Sequence, residues 1–264
     1  MRFVPKPLIE TADASRGRRD LRVRVKDCVS VILVLGLVWL LLGWVAGGLA
    51  ARIPDAWEVR VFGGAGAVTS GSSETDPAIA AAQQLLDRLT EGEELRALNY
   101  RVWVIDLPQP NAVAFPGGGI GVSRQLLEEV QSEEGLAFVL AHELGHHQHR
   151  DLLRGMGRRL ILQLGMALMF DSGSAGSLNP LVEMGERAYS RQQERAADDF
   201  GLSLAMRKIG SSTNLLEFLH LAEQEERGRF GVQWAETHPA TRERIRRLEG
   251  RLRGERERPA GDGD

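Results

Sequence analysis

The chain has 264 residues and a net charge of −3, with 33 lysines and arginines against 36 aspartates and glutamates. That length is enough for one catalytic-size domain of about 175–200 residues together with an apolar segment. The near balance of charge argues against nucleic acid as a partner, and a single cysteine excludes an internal disulfide.

The first predicted element is an uncharged apolar run at residues 29–50. As a helix, these residues would span about 33 Å, enough for a hydrocarbon core of about 30 Å. Residues 1–28 carry eight lysines and arginines. The positive-inside rule makes them a basic cytoplasmic N-terminal segment and places the rest of the chain across the membrane. We therefore expect a transmembrane anchor at 29–50; a signal peptide cleaved at residues 48–50 is the alternative, although its apolar region is normally shorter.

After the anchor, residues 51–75 are predicted to be a linker, because the stretch at 63–77 is rich in glycine, serine and threonine. One domain is expected over residues 76–250, followed by a disordered tail at 251–264. Helical patterns dominate this domain and a small sheet interrupts them, so the fold class is α+β, mostly helical. The predicted helices cover residues 77–90, 123–131, 133–150, 158–170, 181–209, 213–227 and 239–253.

The small sheet is predicted between residues 101 and 122. Residues 101–106 alternate and are rich in β-branched and aromatic side chains, which favours a strand. Residues 111–115 form a second predicted strand. Pro116 and Gly117 indicate a turn, and residues 120–122 return as a third strand.

The predicted helix at 133–150 carries the sequence His142-Glu143-Leu144-Gly145-His146. Residues four apart lie on one face of a helix, so the two histidines can hold one metal ion. Glu143 lies one position further round, where its carboxylate can act as a general base on a water molecule. Gly145 costs helix stability, and its missing side chain would let another segment pack close to the metal.

A catalytic zinc ion usually has three protein ligands, so a third is expected downstream. Glu194 and Asp198 are four apart on the predicted helix at 181–209. Glu194 is the expected metal ligand, and Asp198 would accept the free N–H of a ligand histidine. Glu183 and Glu186 are rival ligands, but neither has an acidic residue four positions later.

These motifs give the chain a family resemblance. HExxH followed by ExxAD resembles the gluzincin endopeptidases of the HtpX-like and CAAX-prenyl-protease-like kind, family forty-eight of the metallopeptidases. Residues 111–122 and the sequence Thr237-His238-Pro239 also match that family's pattern. The resemblance covers roughly residues 76–250 and implies a zinc metallopeptidase domain of zincin type, whose edge strand lies over the zinc helix. Together with the predicted anchor, the resemblance implies a bacterial member of this family with a single membrane span.

The resemblance also implies roles for residues outside the two helices. His238 would lie near the zinc, where it either donates a hydrogen bond to the oxyanion or occupies the fourth ligand position. Arg244 and Tyr189 are weaker candidates for the same electrostatic role. The edge strand would pair with an unfolded peptide through main-chain hydrogen bonds. Its residues are Asn111, Ala112, Val113, Ala114 and Phe115.

The expected function is zinc-dependent endopeptidase activity, with one Zn²⁺ per chain and Glu143 as the base. Unfolded or misfolded envelope proteins are the expected substrates, and the domain would face the bacterial periplasm from the inner membrane. A latent enzyme or a non-catalytic zinc-binding chaperone is the alternative. CAAX-type processing is disfavoured, because a single span cannot build a large intramembrane chamber. The oligomeric state is left open by the sequence.

Overall fold

The computed structural model describes residues 16–63, 76–107, 109–169, 189–225, 238 and 242–256. Within these ranges the predicted α+β, mostly helical class is confirmed. In chain order, the elements are α1 (Arg16–Ala50), α2 (Asp55–Phe62), α3 (Pro77–Thr90), β1 (Arg101–Ile105), β2 (Ala112–Phe115), β3 (Gly119–Ser123), α4 (Arg124–Glu129), α5 (Glu133–Gln148), α6 (Asp151–Met169), α7 (Arg191–Ile209), α8 (Glu217–Glu225) and α9 (Arg242–Arg256).

Helix α1 begins well before the apolar run and contains all of it. Among the described residues, its segment Val23–Ala50 alone is long and apolar enough to cross a membrane. Only 6% of its most apolar stretch is buried by the rest of the chain. The side chains therefore face outward, as those of a lipid-exposed helix do, and the predicted N-terminal apolar helix is confirmed.

The three strands form one sheet in the order β1-β3-β2. Strand β1 runs parallel to β3, with Arg101 opposite Gly119, and β2 runs antiparallel to β3, with Ala112 opposite Val122. Strand β2 is thus an edge of the sheet, and it packs against α5. The predicted arrangement of an edge strand over the HExxH helix is confirmed.

Local signals fix the starts of the two helices that carry the metal motifs. The Ser132 side chain accepts a hydrogen bond from Gly135 N at the start of α5. A reciprocal pair of hydrogen bonds between Ser190 and Gln193 starts α7. Helix α7 begins ten residues later than predicted, and residues 181–188 lie outside the described residues.

Helix α5 lies at the centre of the hydrophobic core. Phe138, Leu140 and Leu144 are almost fully buried along it. They belong to the same cluster as Leu86 of α3 and Leu202 of α7. The core therefore holds the HExxH helix rigidly between neighbours on several sides.

Helix α2 lies inside the predicted linker and docks on the domain. Its Glu58 is only 1% exposed and accepts a hydrogen bond from Gly117 N at 3.0 Å. Arg96 pairs with Glu58 and lies 2.8 Å from Asp55. At the other end of the chain, α9 continues to Arg256, past the start of the predicted tail.

A tight turn joins α5 to α6. Arg150 has a φ of 57°, in the left-handed region that is unfavourable for residues other than glycine. Its guanidinium holds the turn by donating to the Ile53 carbonyl and by pairing with Asp55 at 2.7 Å. The chain reverses here, so α6 runs back and packs along α1.

Candidate metal centre

Four side chains converge in the buried interior where α5 meets α7. His142 and His146 lie on one face of α5, Glu194 lies in the first turn of α7, and His238 precedes α9. All four are between 0 and 4% exposed. One ligand atom from each lies within 4.8 Å of the others, so the cluster has the composition and spacing of a metal site.

The distances within the cluster fit one tetrahedral ion. His142 Nε2 lies 3.2 Å from His146 Nε2 and 3.3 Å from His238 Nδ1. Glu194 Oε2 lies 3.6 Å from His142 Nε2, and Glu194 Oε1 lies 3.5 Å from His146 Nε2. Ligand atoms about 2.0–2.1 Å from a tetrahedral zinc ion are about 3.4 Å apart, which is close to the spacing of these atoms.

Glycine brings the two ligand helices into contact. A Cβ on Gly145 would lie 2.8 Å from the Ala197 Cα, and one on Gly201 would lie 2.8 Å from the His142 N. Any side chain at either position would push α7 away from α5. The interpretation that Gly145 permits close packing agrees with this geometry, whereas Gly201 was not singled out from the sequence.

A second layer of charged groups surrounds the ligands. Asp198 lies 3.2 Å from His142 Nδ1, the position expected for a carboxylate that orients this histidine. Arg244 binds Asp198 through two nitrogens, at 2.8 and 2.6 Å, and lies 2.7 Å from Glu194. Burial opposes the charged form of Asp198, but Arg244 outweighs it and lowers its pKa to about 2. Arg244 thus places one positive charge between the two carboxylates in the described arrangement.

Asp151 supports the other α5 histidine, and sequence reasoning missed it. Its Oδ2 lies 2.9 Å from His146 Nδ1, and its Oδ1 accepts from Gln193 at 2.9 Å. Burial disfavours a charged His146, yet Asp151 and Glu194 together raise its pKa to about 9. The turn at Arg150 returns the chain to His146, and its left-handed φ could not be read from an arginine.

Glu143 and Tyr189 complete the centre. Both carboxylate oxygens of Glu143 are buried without a hydrogen-bond partner among the described residues, and Oε1 lies 3.6 Å from His238 Nε2. A buried carboxylate in this state fits a base that receives its partner only with water or substrate. The Tyr189 ring stacks on His146 with centroids 3.8 Å apart.

The predicted substrate strand lies beside α5, and all of its residues are buried. Asn111 N donates to Ser123 Oγ at 2.8 Å. The side-chain amide of Asn111 is buried and has no partner among the described residues. An edge strand with an unsatisfied amide beside the zinc helix is compatible with peptide binding, which stays a prediction.

The helical fold, HExxH on α5 and Glu194 on α7 define a metallopeptidase of the zincin type. The sequence model of Peptidase family M48 matches residues 78–252. The chain belongs to this family, and the resemblance noted from its motifs is confirmed.

Curated relatives agree with this assignment. The chain is 31% identical over 176 residues to the mitochondrial metalloendopeptidase OMA1 of Schizosaccharomyces pombe, covering 63% of this chain and 50% of that protein. It is 31% identical over 150 residues to a putative beta-barrel assembly-enhancing protease of Vibrio cholerae, covering 51% and 31%. It is 28% identical over 200 residues to a protease HtpX homolog of Salinibacter ruber, covering 62% and 72%. The chain spans about half the length of the OMA1 relatives it matches.

Proposed function

We propose that this chain is a membrane-anchored zinc endopeptidase in which Glu143 acts as the general base. The observation that carries the proposal is the buried set of His142, His146 and Glu194 beside the Glu143 carboxylate, which has no hydrogen-bond partner among the described residues. Two histidines and one glutamate suit zinc better than the harder divalent ions.

The chemistry divides between the ion and the chain. Bound zinc would polarise the scissile carbonyl and lower the pKa of a water molecule. Glu143 would take the proton of the attacking water and deliver it to the leaving amine. Asp198 and Asp151 would hold the two ligand histidines in the required tautomer and orientation. Strand β2 would hold the peptide by main-chain hydrogen bonds, which give affinity with little sequence preference.

Cleavage of unfolded casein by the full chain in detergent micelles tests the proposal. We expect cleavage by the wild type and none by Glu143→Gln, with bound zinc unchanged. Glu134→Gln, on the same helix, is the matched control and should cleave normally. Equal cleavage by wild type and Glu143→Gln would mean that a contaminant is responsible and would contradict the mechanism.

The proposed location is the bacterial inner membrane, with the domain in the periplasm and misfolded envelope proteins as substrates. The N-terminal arginines support this orientation, and the substrate class rests on analogy with bacterial relatives. Cys28, which is exposed and lies at the N-terminal end of the apolar run, allows a direct test. A membrane-impermeant maleimide added to spheroplasts should spare Cys28 and label a cysteine at Gly254; the reverse pattern would contradict the orientation.

A latent enzyme is the second candidate, and the position of His238 favours it. His238 Nδ1 lies 2.9 Å from Glu194 and 3.3 Å from His142, within the ligand set. If His238 occupies the fourth position at rest, His238→Ala should raise casein cleavage. If it stabilises the oxyanion, the same change should lower kcat about 100- to 1,000-fold without loss of zinc.

A further inference from the structure

A cavity of about 890 Å³ lies where the anchor helix meets the metallopeptidase domain. Its walls are the end of α1, the start of α6 and the first turn of α7, and its volume is in the range of small-ligand sites. Three arginines line it, Arg52, Arg154 and Arg158, against a single carboxylate from Asp151. The cavity therefore carries surplus positive charge.

The charges in this cavity are not balanced by the described residues. Asp151 is 2% exposed and already engaged by His146 and Gln193. Arg154 and Arg158 form no ion pair with any described residue, and their side chains are exposed. Arg52 donates only to the Gly48 carbonyl, at 3.3 Å. A cluster of arginines in this state is suited to binding an external anion.

Arg154 and Arg158 lie on α6 beside the end of α1, and this position indicates the source of the anion. Gly47 is so close to α6 that a Cβ would lie 2.9 Å from the Arg154 carbonyl oxygen, and Gly43 faces the Arg158 carbonyl at 4.0 Å. Both glycines belong to the uncharged run, so these arginines lie beside the last turns of the apolar helix. Charged side chains there reach toward the lipid headgroups, where phosphate is the abundant anion.

We propose that this cavity binds the headgroup phosphate of an anionic phospholipid from the leaflet next to the domain. The inference rests on the proposed membrane anchoring but not on peptidase activity. Arginine guanidinium groups bind phosphate through paired hydrogen bonds. The apolar side of the cavity is formed by Trp44 and Leu49, which are 75% and 61% exposed and would lie along the acyl chains.

The same cavity is lined by residues that contact the metal centre. Asp151 and Gln193 line it, and Asp151 also binds the His146 ring. A bound headgroup would therefore order the start of α6 and the first turn of α7 together. Binding of the lipid is expected to slow the loss of zinc to a chelator, because ligand histidines depend on their carboxylate partners.

The test uses the full chain carrying Glu143→Gln in non-ionic detergent, titrated with short-chain phosphatidylglycerol, phosphatidylcholine or inorganic phosphate. We expect saturable binding of phosphatidylglycerol only. Arg154→Gln or Arg158→Gln should weaken it about fivefold and the double variant about 25-fold, the effect typical of an arginine near an anionic lipid. The corresponding lysine variants keep the charge but lose the paired hydrogen bonds, so they should bind less tightly than the wild type and more tightly than the glutamine variants. Bound zinc should be unchanged in all of them, which would show that the fold is intact.

Arg246→Gln is the matched control, because Arg246 is an exposed arginine on α9 outside the cavity. Equal binding of the two lipids, or equal weakening by Arg246→Gln, would overturn the proposal. Inorganic phosphate binding as tightly as the lipid would identify a site for a free ion and would also overturn it. Because the protein tested is catalytically inactive by design, failure to cleave casein leaves this result unaffected.

Discussion

Two helix pairs in this chain meet through glycine, and their surroundings differ completely. At the crossing of α5 and α7, Gly145 and Gly201 bring the backbones together around the metal ligands. At the pairing of α1 and α6, a Cβ on Gly157 would lie 2.6 Å from the Ala46 carbonyl oxygen, and Gly47 is equally crowded. The contact distances are alike, so the presence of glycine shows that two helices approach closely but does not distinguish a metal site from a lipid-facing contact.

The side chains that surround each helix pair show how the two pairs differ. Beside α5 and α7, polar groups such as Asp198 are buried and paired with protein partners. Beside α1 and α6, apolar groups such as Leu40, which is 69% exposed, face outward, and Arg154 and Arg158 form no ion pair with a described residue. Polar groups of the first pair such as Asp198 are satisfied within the protein, whereas the second pair presents an outward-facing apolar surface of the kind that lipid would cover.

The largest expected effect comes from removing a proposed metal ligand at the crossing of α5 and α7. Glu194→Ala should weaken zinc binding at least about a hundredfold, because four-ligand zinc sites contribute about 10–16 kcal/mol, or about 3 kcal/mol for each ligand, and this variant loses one of the three ligands proposed here. Chelator competition followed by metal analysis measures this. Glu243→Ala is the control, since the Glu243 side chain is 72% exposed and lies on α9. Retention of a full equivalent of tightly bound zinc by Glu194→Ala would remove Glu194 from the ligand set.

Asp151→Asn should have the next largest effect. The amide keeps the size of the carboxylate but loses its charge, so His146 becomes a weaker ligand and zinc affinity should fall about 10- to 100-fold. Asp199→Asn provides a comparison, because Asp199 pairs with arginines and its side chain is 46% exposed. Equal zinc affinity in both variants would show that Asp151 does not position His146.

Gly145→Ala sharpens the packing side of the comparison. The added Cβ would meet the Ala197 backbone at 2.8 Å and should destabilise the domain by about 1–3 kcal/mol. Gly250→Ala, on α9 with nothing within 4 Å, should instead stabilise it by about 0.5–1 kcal/mol. Denaturant midpoints in detergent compare the two. If both variants were stabilised, α7 would have to move enough to accommodate a side chain at Gly145.

Asp55 tests how firmly α2 is held against the domain. Burial raises its pKa, but Arg96 and Arg150 outweigh this and lower it from 3.8. The carboxylate therefore contributes stability above pH 4, and the contribution disappears as pH falls through the lower folded pKa. Asp55→Asn should cost about 0.5–1 kcal/mol at pH 7 and progressively less as the pH falls below 4. A cost that is independent of pH would contradict a charge-based role.

The smallest effect on the metal centre is expected from Gly157→Ala. The new methyl group would separate α6 from α1, so amide hydrogen exchange should quicken at residues 43–50. Zinc content should stay at the wild-type value, because the ligands belong to the other helix pair. Loss of zinc without faster exchange would show that the two pairs are not separable in this way.

The sequence predicts those parts of the centre that depend on local periodicity. His142, Glu143 and His146 follow from one helix, and Glu194 and Asp198 follow from another, because helical spacing fixes which side chains share a face. The helical class, the apolar helix and the strands were predictable for similar reasons, whereas the position of β2 at the edge of the sheet was implied by the family resemblance.

Features that depend on chain reversals or distant contacts were not predictable. Asp151 reaches His146 only through the left-handed turn at Arg150, and an arginine in the sequence does not predict that conformation. The burial of Glu58 depends on Arg96, which lies 38 residues away in the sequence. The predicted linker at 51–75 gave no hint of this, since α2 is short and its stability comes from tertiary contacts.

The contact of Arg150 with Ile53 has a geometric consequence for an anchored enzyme. Arg150 lies four residues after His146, and Ile53 lies three residues after the end of α1. If α1 spans a membrane, the candidate metal centre is therefore held close to the end of the spanning helix rather than at the end of a long flexible linker. Encounters would then occur mainly by lateral diffusion in two dimensions, and chains emerging from or lying on the membrane would be met before those free in solution.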